Sequence, residues 1–557
     1  MTPKNLLRGY VLLTALEAAL IGVPLFQARS LGAGGYSLPR LILLGAWALG
    51  FIVCVWLSLS AFKQAAFFEF VKSRREVIWE WLIVFNLICW GGIALFFLQP
   101  DFFIFIWKSA LALFEQYFLV VLIGGIWAAQ SLFALWIIAP ETPDENIVIP
   151  KAVQIFLIAF FFYAYTAVHL NLAPYSTTAY FPELAQSFLH GHADLPNPSA
   201  TKDLTLFNGK YYVSFPPLGA LLMTPLVALR GAEEFNVILF NIFFAALGVA
   251  FMFLALEAMR TRGLSQLHWL EHAALALFLG FGTAQYSMAL RGLVNFTSQI
   301  LTTTFLALAL WLVLSLRRIQ VNALLTGVAL GLALLARPNV VFAWIAVAAA
   351  QLQILYDDES FSFKKYFQWI ILSLAPVAAA VLALFWYNQI RFGSPFDFGY
   401  THMLVAEVLK NDLATYGQFH PHFILNNLRD NFLNLPYWDE KCKAFTFNPQ
   451  GTSILFASPL VIYSVTQVYR LALRHAWILG AWLSILATVA LHLMYYNSGA
   501  VQVAYRFSLD FMPIVVMLLA FVFKKKIPAT ALILLAFSIF VNYFGALWSV
   551  HRGCENF

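Results

Sequence analysis

The chain has 557 residues, of which 62% are hydrophobic and only 11% charged, with 33 Lys and Arg against 27 Asp and Glu. Soluble domains carry about 25% charged residues, so this composition excludes an ordinary water-soluble protein. The formal net charge of +6 does not point to nucleic acid, because the basic residues fall mainly in short loops, as the positive-inside rule produces.

Apolar runs of roughly 20 residues, each long enough to cross about 30 Å of hydrocarbon, recur from end to end. They predict an all-α fold, a polytopic transmembrane helical bundle of about fifteen spans. In chain order these are 9–28, 40–62, 77–98, 116–139, 151–171, 235–258, 268–289 and 292–316, then 320–336, 338–356, 366–389, 452–469, 476–495, 507–523 and 527–548. The basic start at Lys4 and Arg8 lacks a convincing small-residue cleavage site, so the first span reads as a retained helix. Residues 102–115, with Lys108 and Glu115, read as interfacial. Four cysteines carry no motif: Cys54 and Cys89 lie in apolar runs, and pairing of Cys442 with Cys554 is left open.

Residues 1–150 hold four spans and no long loop, and read as an accessory N-terminal membrane region. The polar turn 140–150 joins them to a second membrane module, 151–557. Residues 216–230 reach only about 22 Å at 1.5 Å per residue, so they are expected to lie on the outer surface. With that placement Lys4, Arg8, Lys63, Lys151, Arg260, Arg317, Lys364, Arg470 and Lys524 share the cytoplasmic side. The polar segments 172–234 and 390–451 then both face outward. If 216–230 crossed, every later basic cluster would change sides.

Long loops not needed to join helices usually exist for function. In the first, Tyr180, Leu184 and Phe188 recur at i, i+4 and i+8, which predicts an interfacial helix ending at Gly191. Asp203 opens DLTLFNGKYY, where Asn208-Gly209 between apolar residues signals a tight turn. Pro216-Pro217 then starts another helix. Elsewhere Arg337 stands at the outer end of a span, where a charge is costly and faces a cavity or a partner. Arg506 and Asp510 are four apart at the outer end of another span, on one helix face, positioned to pair with each other. Arg291 and Asn295 repeat that spacing, and His169 and Asn171 close the helix leading into the first loop. In the second loop His420-x-His422 invites a divalent metal, but two histidines without a third ligand do not define a site. The other reading is a polar lid whose histidines touch acceptor or headgroups. No Walker lysine loop, HExxH, GxSxG or dinucleotide fingerprint occurs in a credible context.

Taken in order, several motifs resemble those of the GT-C glycosyltransferases, membrane enzymes that include protein mannosyltransferases and the aminoarabinose transferase of lipid A. They are the A-x-x-[FL]-L-x-G helix at 185–191, Asp203, the G-[KR]-[YF]-Y turn at 209–212 and the P-P-L start at 216–218. ARP at 336–338, WYNQIRFGSPFDFGY at 386–400 and AYRFSLDFMP at 504–513 complete the series, which covers about 150–550. The resemblance implies transfer of a sugar from a polyprenyl-phosphate donor, held in the membrane lipid, to a lipid, glycan or protein acceptor on the outer face of the cell membrane. It implies a loop carboxylate as base on the acceptor hydroxyl, and cationic or tyrosine groups at the leaving phosphate.

One departure stands out. By spacing, the acidic pair usual at the start of this loop is replaced by Thr177 and Thr178, and threonine is no general base at neutral pH. Asp203, Glu183 or Asp194 has taken the role, or the reaction is absent; Asp203 is favoured, beside the phosphate-type turn. Lys210, Tyr211, Tyr212, Arg337 and Arg506 are the expected contacts of the donor phosphate. His169, Asn171, Arg291, Asn295, His420, His422 and Asp510 are further candidate substrate contacts. No cofactor is certain from the sequence, and a divalent metal stays open. Two rivals stand beside this reading. A transporter or flippase of a lipid-linked or polar substrate should show internal repeats and midplane charges, and no convincing repeat is found. A catalytically silent scaffold would account for Thr177 and Thr178.

Overall fold

The computed structural model describes residues 148–550 except 171, 174–177, 441–442, 449, 467–474, 500–501 and 524, with scattered positions between 77 and 88. The expected spans 9–28, 40–62 and 116–139, and most of 77–98, lie outside the described residues. The chain divides into two compact units, Met1–Phe161 and Phe162–Phe557. Within the first, Gln154 Nε2 donates to the Glu80 carbonyl at 2.9 Å, and Lys151 pairs with the Glu80 carboxylate at 3.8 Å.

The described chain is mostly helical. Its main helices are α1 (Val148–His169), α2 (Phe181–Leu189), α3 (Leu218–Arg230), α4 (Val237–Thr261), α5 (Trp269–Phe281), α6 (Val294–Ser315) and α7 (Ile319–Ala336). There follow α8 (Ala343–Asp357), α9 (Phe363–Phe392), α10 (Glu407–Tyr416), α11 (Ala476–Leu493), α12 (Met512–Phe523) and α13 (Ala529–Val550). Among the described residues, 8 helices are long and apolar enough to cross a membrane: α1, α4, α6, α7, α8 with its 3-10 start at Pro338, α9, α11 and α13. These match the runs expected at 151–171, 235–258, 292–316, 320–336, 338–356, 366–389, 476–495 and 527–548.

Three expected spans take another form, each for a local reason. In 268–289, α5 stops at Phe281 and a separate turn of helix covers Gln285–Ala289. Gly282 and Thr283 interrupt it, the Thr283 hydroxyl bonding back to the Leu279 carbonyl at 2.6 Å. Among the described residues of 452–469 only short pieces form, Ile454–Ala457, Pro459–Val461 and Ile462–Val465. Pro459 lacks the N–H that a continuous helix needs, and the Ser458 hydroxyl donates away to the Gly282 carbonyl at 2.7 Å. In 507–523 the α-helix begins only at Met512, after a 3-10 turn over Arg506–Asp510. Helix α3 is the expected short apolar segment; its 13 residues span about 20 Å.

The bundle of the second unit packs α4 on α6, α6 on α7, α7 on α9 and α8 on α11. Helices α7 and α9 approach closely through the small-residue spacing Gly327–Gly331. A Cβ at Gly327 would lie 2.3 Å from the Ser373 carbonyl oxygen. Above the helices stand two antiparallel hairpins, β1 (Leu204–Phe207) with β2 (Lys210–Val213), and β3 (Tyr437–Asp439) with β4 (Ala444–Thr446). Asn208 (φ 49°) and Gly209 (φ 75°) both occupy left-handed space, which a tight two-residue hairpin turn demands.

Candidate functional site

The first hairpin carries Asp203 to its place. Asp203 has φ 64°, a region that costs most non-glycine residues energy and that aspartate tolerates better. Its neighbours hold it there. The Asp203 N–H donates to the Leu404 carbonyl at 3.1 Å, and the Leu404 N–H donates to the Leu204 carbonyl at 2.8 Å. The Tyr180 hydroxyl donates to the Lys202 carbonyl, and the Thr205 hydroxyl donates to the Gly399 carbonyl at 2.9 Å. The two long polar segments therefore meet at Asp203. Buried Arg391, at the end of α9, fixes the second strand: its Nη1 donates to the Val213 carbonyl at 2.6 Å.

Opposite the hairpin, Pro338 disfavours helical geometry at the residue before it, and α7 ends with Arg337 extended at φ −151°. The Arg337 guanidinium grips Asp510, Nε to Oδ1 at 3.0 Å and Nη2 to Oδ2 at 3.1 Å. His492, near the end of α11, meets Asp510 Oδ2 through Nε2 at 3.0 Å and the Tyr505 hydroxyl through Nδ1 at 2.9 Å. Asp510 is 1% exposed, so its charge is neutralised by contact rather than by water. The expected Arg506–Asp510 hydrogen-bonded pair does not form. A 3-10 turn does not present residues four apart as one α-helical face, and Asp510 is already taken.

Arg506 is the unusual group. It is 6% exposed, yet its Nε and Nη1 find no hydrogen-bond partner among the described residues. Its guanidinium lies over the Phe507 ring at 4.9 Å and the Phe296 ring at 5.5 Å. The turn beneath it is pinned: Gln299 Nε2 donates to the Arg506 carbonyl at 3.2 Å, and the Arg506 N–H donates to Gln502 Oε1 at 3.3 Å. Burial, with Arg337 second, brings the guanidinium down to about 10, so it stays a cation at neutral pH. A buried cation left without hydrogen bonds costs free energy, and an anion relieves that cost.

These parts face one open cleft of about 100 Å³, lined by Asp203, Asn295, Arg337, Tyr400, His492, Tyr495, Tyr496 and Arg506, with Phe215, Phe419 and Phe507 as apolar walls. The Asp203 carboxylate makes no hydrogen bond among the described residues. Burial pushes its pKa above the ordinary carboxylate value, with Lys202 and Arg506 pulling against it. Tyr180, raised to about 12 by burial and by the nearby Asp203 charge, remains a hydrogen-bond donor.

Of the residues expected from the sequence, Asp203, Asn295, Arg337 and Arg506 thus converge on one cleft, and Asp510 stands directly behind it. The others lie elsewhere. Lys210 is exposed at the hairpin tip, 3.4 Å from Asp194. Tyr211 lies on the same strand, and Tyr212 packs edge-on to Phe392 at 5.4 Å. Glu183 accepts hydrogen bonds from the Ser199 N–H and hydroxyl. Arg291 lies over Phe296 at 5.5 Å in an adjoining recess. His169 is exposed at the end of α1; Asn171 and Thr177 lie outside the described residues. His422 stacks on Tyr416 at 4.1 Å, and His420 Nδ1 accepts the His422 N–H at 3.1 Å, a local cap on the surface. Among the described residues no three His, Cys, Asp or Glu side chains group closely enough to hold a metal ion. His492, Tyr400, Tyr495 and Tyr496 are cleft residues that the sequence reading did not single out. His492 had the same signal as Arg337, a polar side chain closing an apolar run.

The Arg337–Asp510 pair predicts its own energetics. Removing one partner of a buried pair costs about 3–5 kcal/mol. Asp510→Ala is therefore expected to lower thermal stability sharply in detergent, and adding Arg337→Met to recover much of the loss. Equal stability of Asp510→Ala and wild type would show that the pair contributes little. Compared with known proteins, the chain matches no family model, no curated protein and no solved structure.

Proposed function

We propose that the chain transfers a sugar from a polyprenyl-phosphate-linked donor to a lipid, glycan or protein acceptor at the outer face of the membrane. The reading takes the chain as a polytopic helical membrane bundle in which the broken segments 268–289, 452–469 and 507–523 still cross, with a cytoplasmic N-terminus and both long polar segments outside. One observation carries it: a buried guanidinium with unpartnered nitrogens, Arg506, shares a cleft with the carboxylate of Asp203. The first suits a phosphate and the second suits an attacking hydroxyl.

In the proposed reaction, Asp203 accepts the proton of the acceptor hydroxyl as its oxygen bonds to the anomeric carbon. The bond from that carbon to the phosphate oxygen breaks, and the polyprenyl phosphate leaves with the electron pair. Arg506 stabilises the charge gathering there, and does so strongly because its guanidinium is buried. Arg337, already neutralised by Asp510, offers its remaining N–H groups without a second full charge. The donor's sugar has apolar walls in Phe507, Tyr400 and Tyr495, with Asn295 and Asn497 as amide contacts.

The test is to place the purified full chain in nanodiscs with a panel of polyprenyl-phosphate sugars and candidate acceptors. Consumption of one donor, with release of polyprenyl phosphate and a covalent sugar product, is expected. Movement of a donor across vesicle membranes without any covalent transfer would replace the enzyme with the transporter reading.

A further inference from the structure

A different surface carries an inference independent of sugar transfer. Large apolar side chains stand exposed along the stretch 424–446: Leu425 is 78% exposed, Leu433 63%, Leu435 59%, Trp438 49% and Phe445 62%. Scattered single hydrophobics on a surface need no explanation, but a continuous apolar group marks an interaction site. Trp438 and Phe445 face each other across the β3–β4 hairpin, edge to face at 5.3 Å. Nothing in the hairpin's own fold buries them.

The depth of this stretch is set by the helices under it. The Asn427 amide donates to the carbonyls of His492, Leu493 and Tyr495 at 3.3, 2.9 and 2.6 Å, which caps the C-terminal end of α11. Phe447, just past the hairpin, packs on Phe544 and Trp548 at 5.9 and 5.5 Å, in the last turns of α13. Helix α11 has 18 residues and α13 has 22, and both are apolar enough to cross a membrane. The ends of such helices lie near the headgroups, about 15 Å from the bilayer centre. With α11 and α13 crossing a membrane, the exposed side chains therefore sit near headgroup depth. Tryptophan and tyrosine favour that layer; Arg429 on the same stretch is exposed but already paired with Asp430 at 3.2 Å.

We infer that Leu425, Leu433, Leu435, Trp438 and Phe445 form an interfacial anchor, whose apolar side chains dip into the lipid of the leaflet bordering the cleft. The same stretch leads directly into the cleft wall through the bond from Asn427 to Tyr495. The anchor thereby sets the cleft mouth at the level where the phosphate of a membrane lipid resides.

The test uses nitroxide labels at Leu435→Cys and Phe445→Cys, each in the full chain with the four native cysteines replaced, reconstituted in nanodiscs. Power saturation should show collisions with oxygen exceeding those with a water-soluble nickel chelate at both sites. Greater access to the chelate would place the stretch in water and overturn the proposal. Protection from both reagents would show a protein surface on top, another part of the chain or a second copy, and would overturn it equally. A label-free arm guards against misfolding of the cysteine-free chain. Brominated lipids should quench wild-type fluorescence more than that of Trp438→Phe, and equal quenching counts against the anchor.

Discussion

Arg506→Ala is expected to abolish donor use in the nanodisc assay while leaving the fold intact. Loss of one preorganised group facing a developing negative charge typically costs about 10²–10³ in rate. The decisive contrast is with stability. Arg506 has Nε and Nη1 without partners, so its removal takes away a buried charge that few contacts compensate. Thermal stability should hold or rise, opposite to Asp510→Ala, while binding of polyprenyl phosphate falls. Arg506→Lys should restore part of the binding, because lysine brings charge but not the planar fork. Loss of stability in Arg506→Ala, with donor binding unchanged, would make the residue structural and remove the phosphate site.

Asp203→Asn is expected to stop transfer and spare donor binding, since it deletes the base and keeps the shape. General-base catalysis contributes about 10²–10⁴, so kcat should fall by that factor with little change in donor affinity. Wild-type activity should rise with pH along an acid limb lying above the ordinary carboxylate range, because burial favours the protonated, inactive acid. Arg506 pulls the Asp203 pKa downward. Any residual activity of Arg506→Lys, which keeps that charge, should therefore retain the limb, whereas that of Arg506→Ala should show it displaced to higher pH. Full activity in Asp203→Asn would pass the role of base to another carboxylate.

What was legible in the sequence was mainly local. Asn208-Gly209 names its own turn, Pro338 ends its own helix, and eight apolar runs became helices because no proline or polar break interrupts them unfavourably. Pro376 inside α9 is the exception that the helix tolerates. Scarcity of charge singled out Asp203, Arg337 and Arg506, which the fold brings to one cleft. The rest depends on tertiary choices. Nothing near Asp510 in the chain says that its partner is Arg337, which belongs to another helix, rather than Arg506 on its own turn. Lys210 had the right composition around it, but the tight turn puts it at the hairpin tip beside Asp194. The run 452–469 has the hydropathy of a span, and at Ser458-Pro459 its described part breaks into short turns of helix.

The hairpin that carries Asp203 and the turn that carries Arg506 are held in unequal ways. Arg506 belongs to a turn tied into the bundle by the Arg337–Asp510–His492 cluster and by Gln299, with Asp510, His492 and Gln299 buried and Arg337 partly so. Asp203 hangs from a two-stranded ribbon, fastened by backbone bonds to Leu404 and by Tyr180 and Thr205. The cleft thus has one fixed jaw, which carries the cation, and one hinged jaw, which carries the carboxylate. Opening it at the ribbon breaks a few hydrogen bonds to backbone carbonyls, one of them from the Arg391 guanidinium, whereas opening it at the other side breaks an ion pair. On the proposed reading, a bulky acceptor is therefore expected to enter from the Asp203 side, displacing the carboxylate and leaving Arg506 where it was.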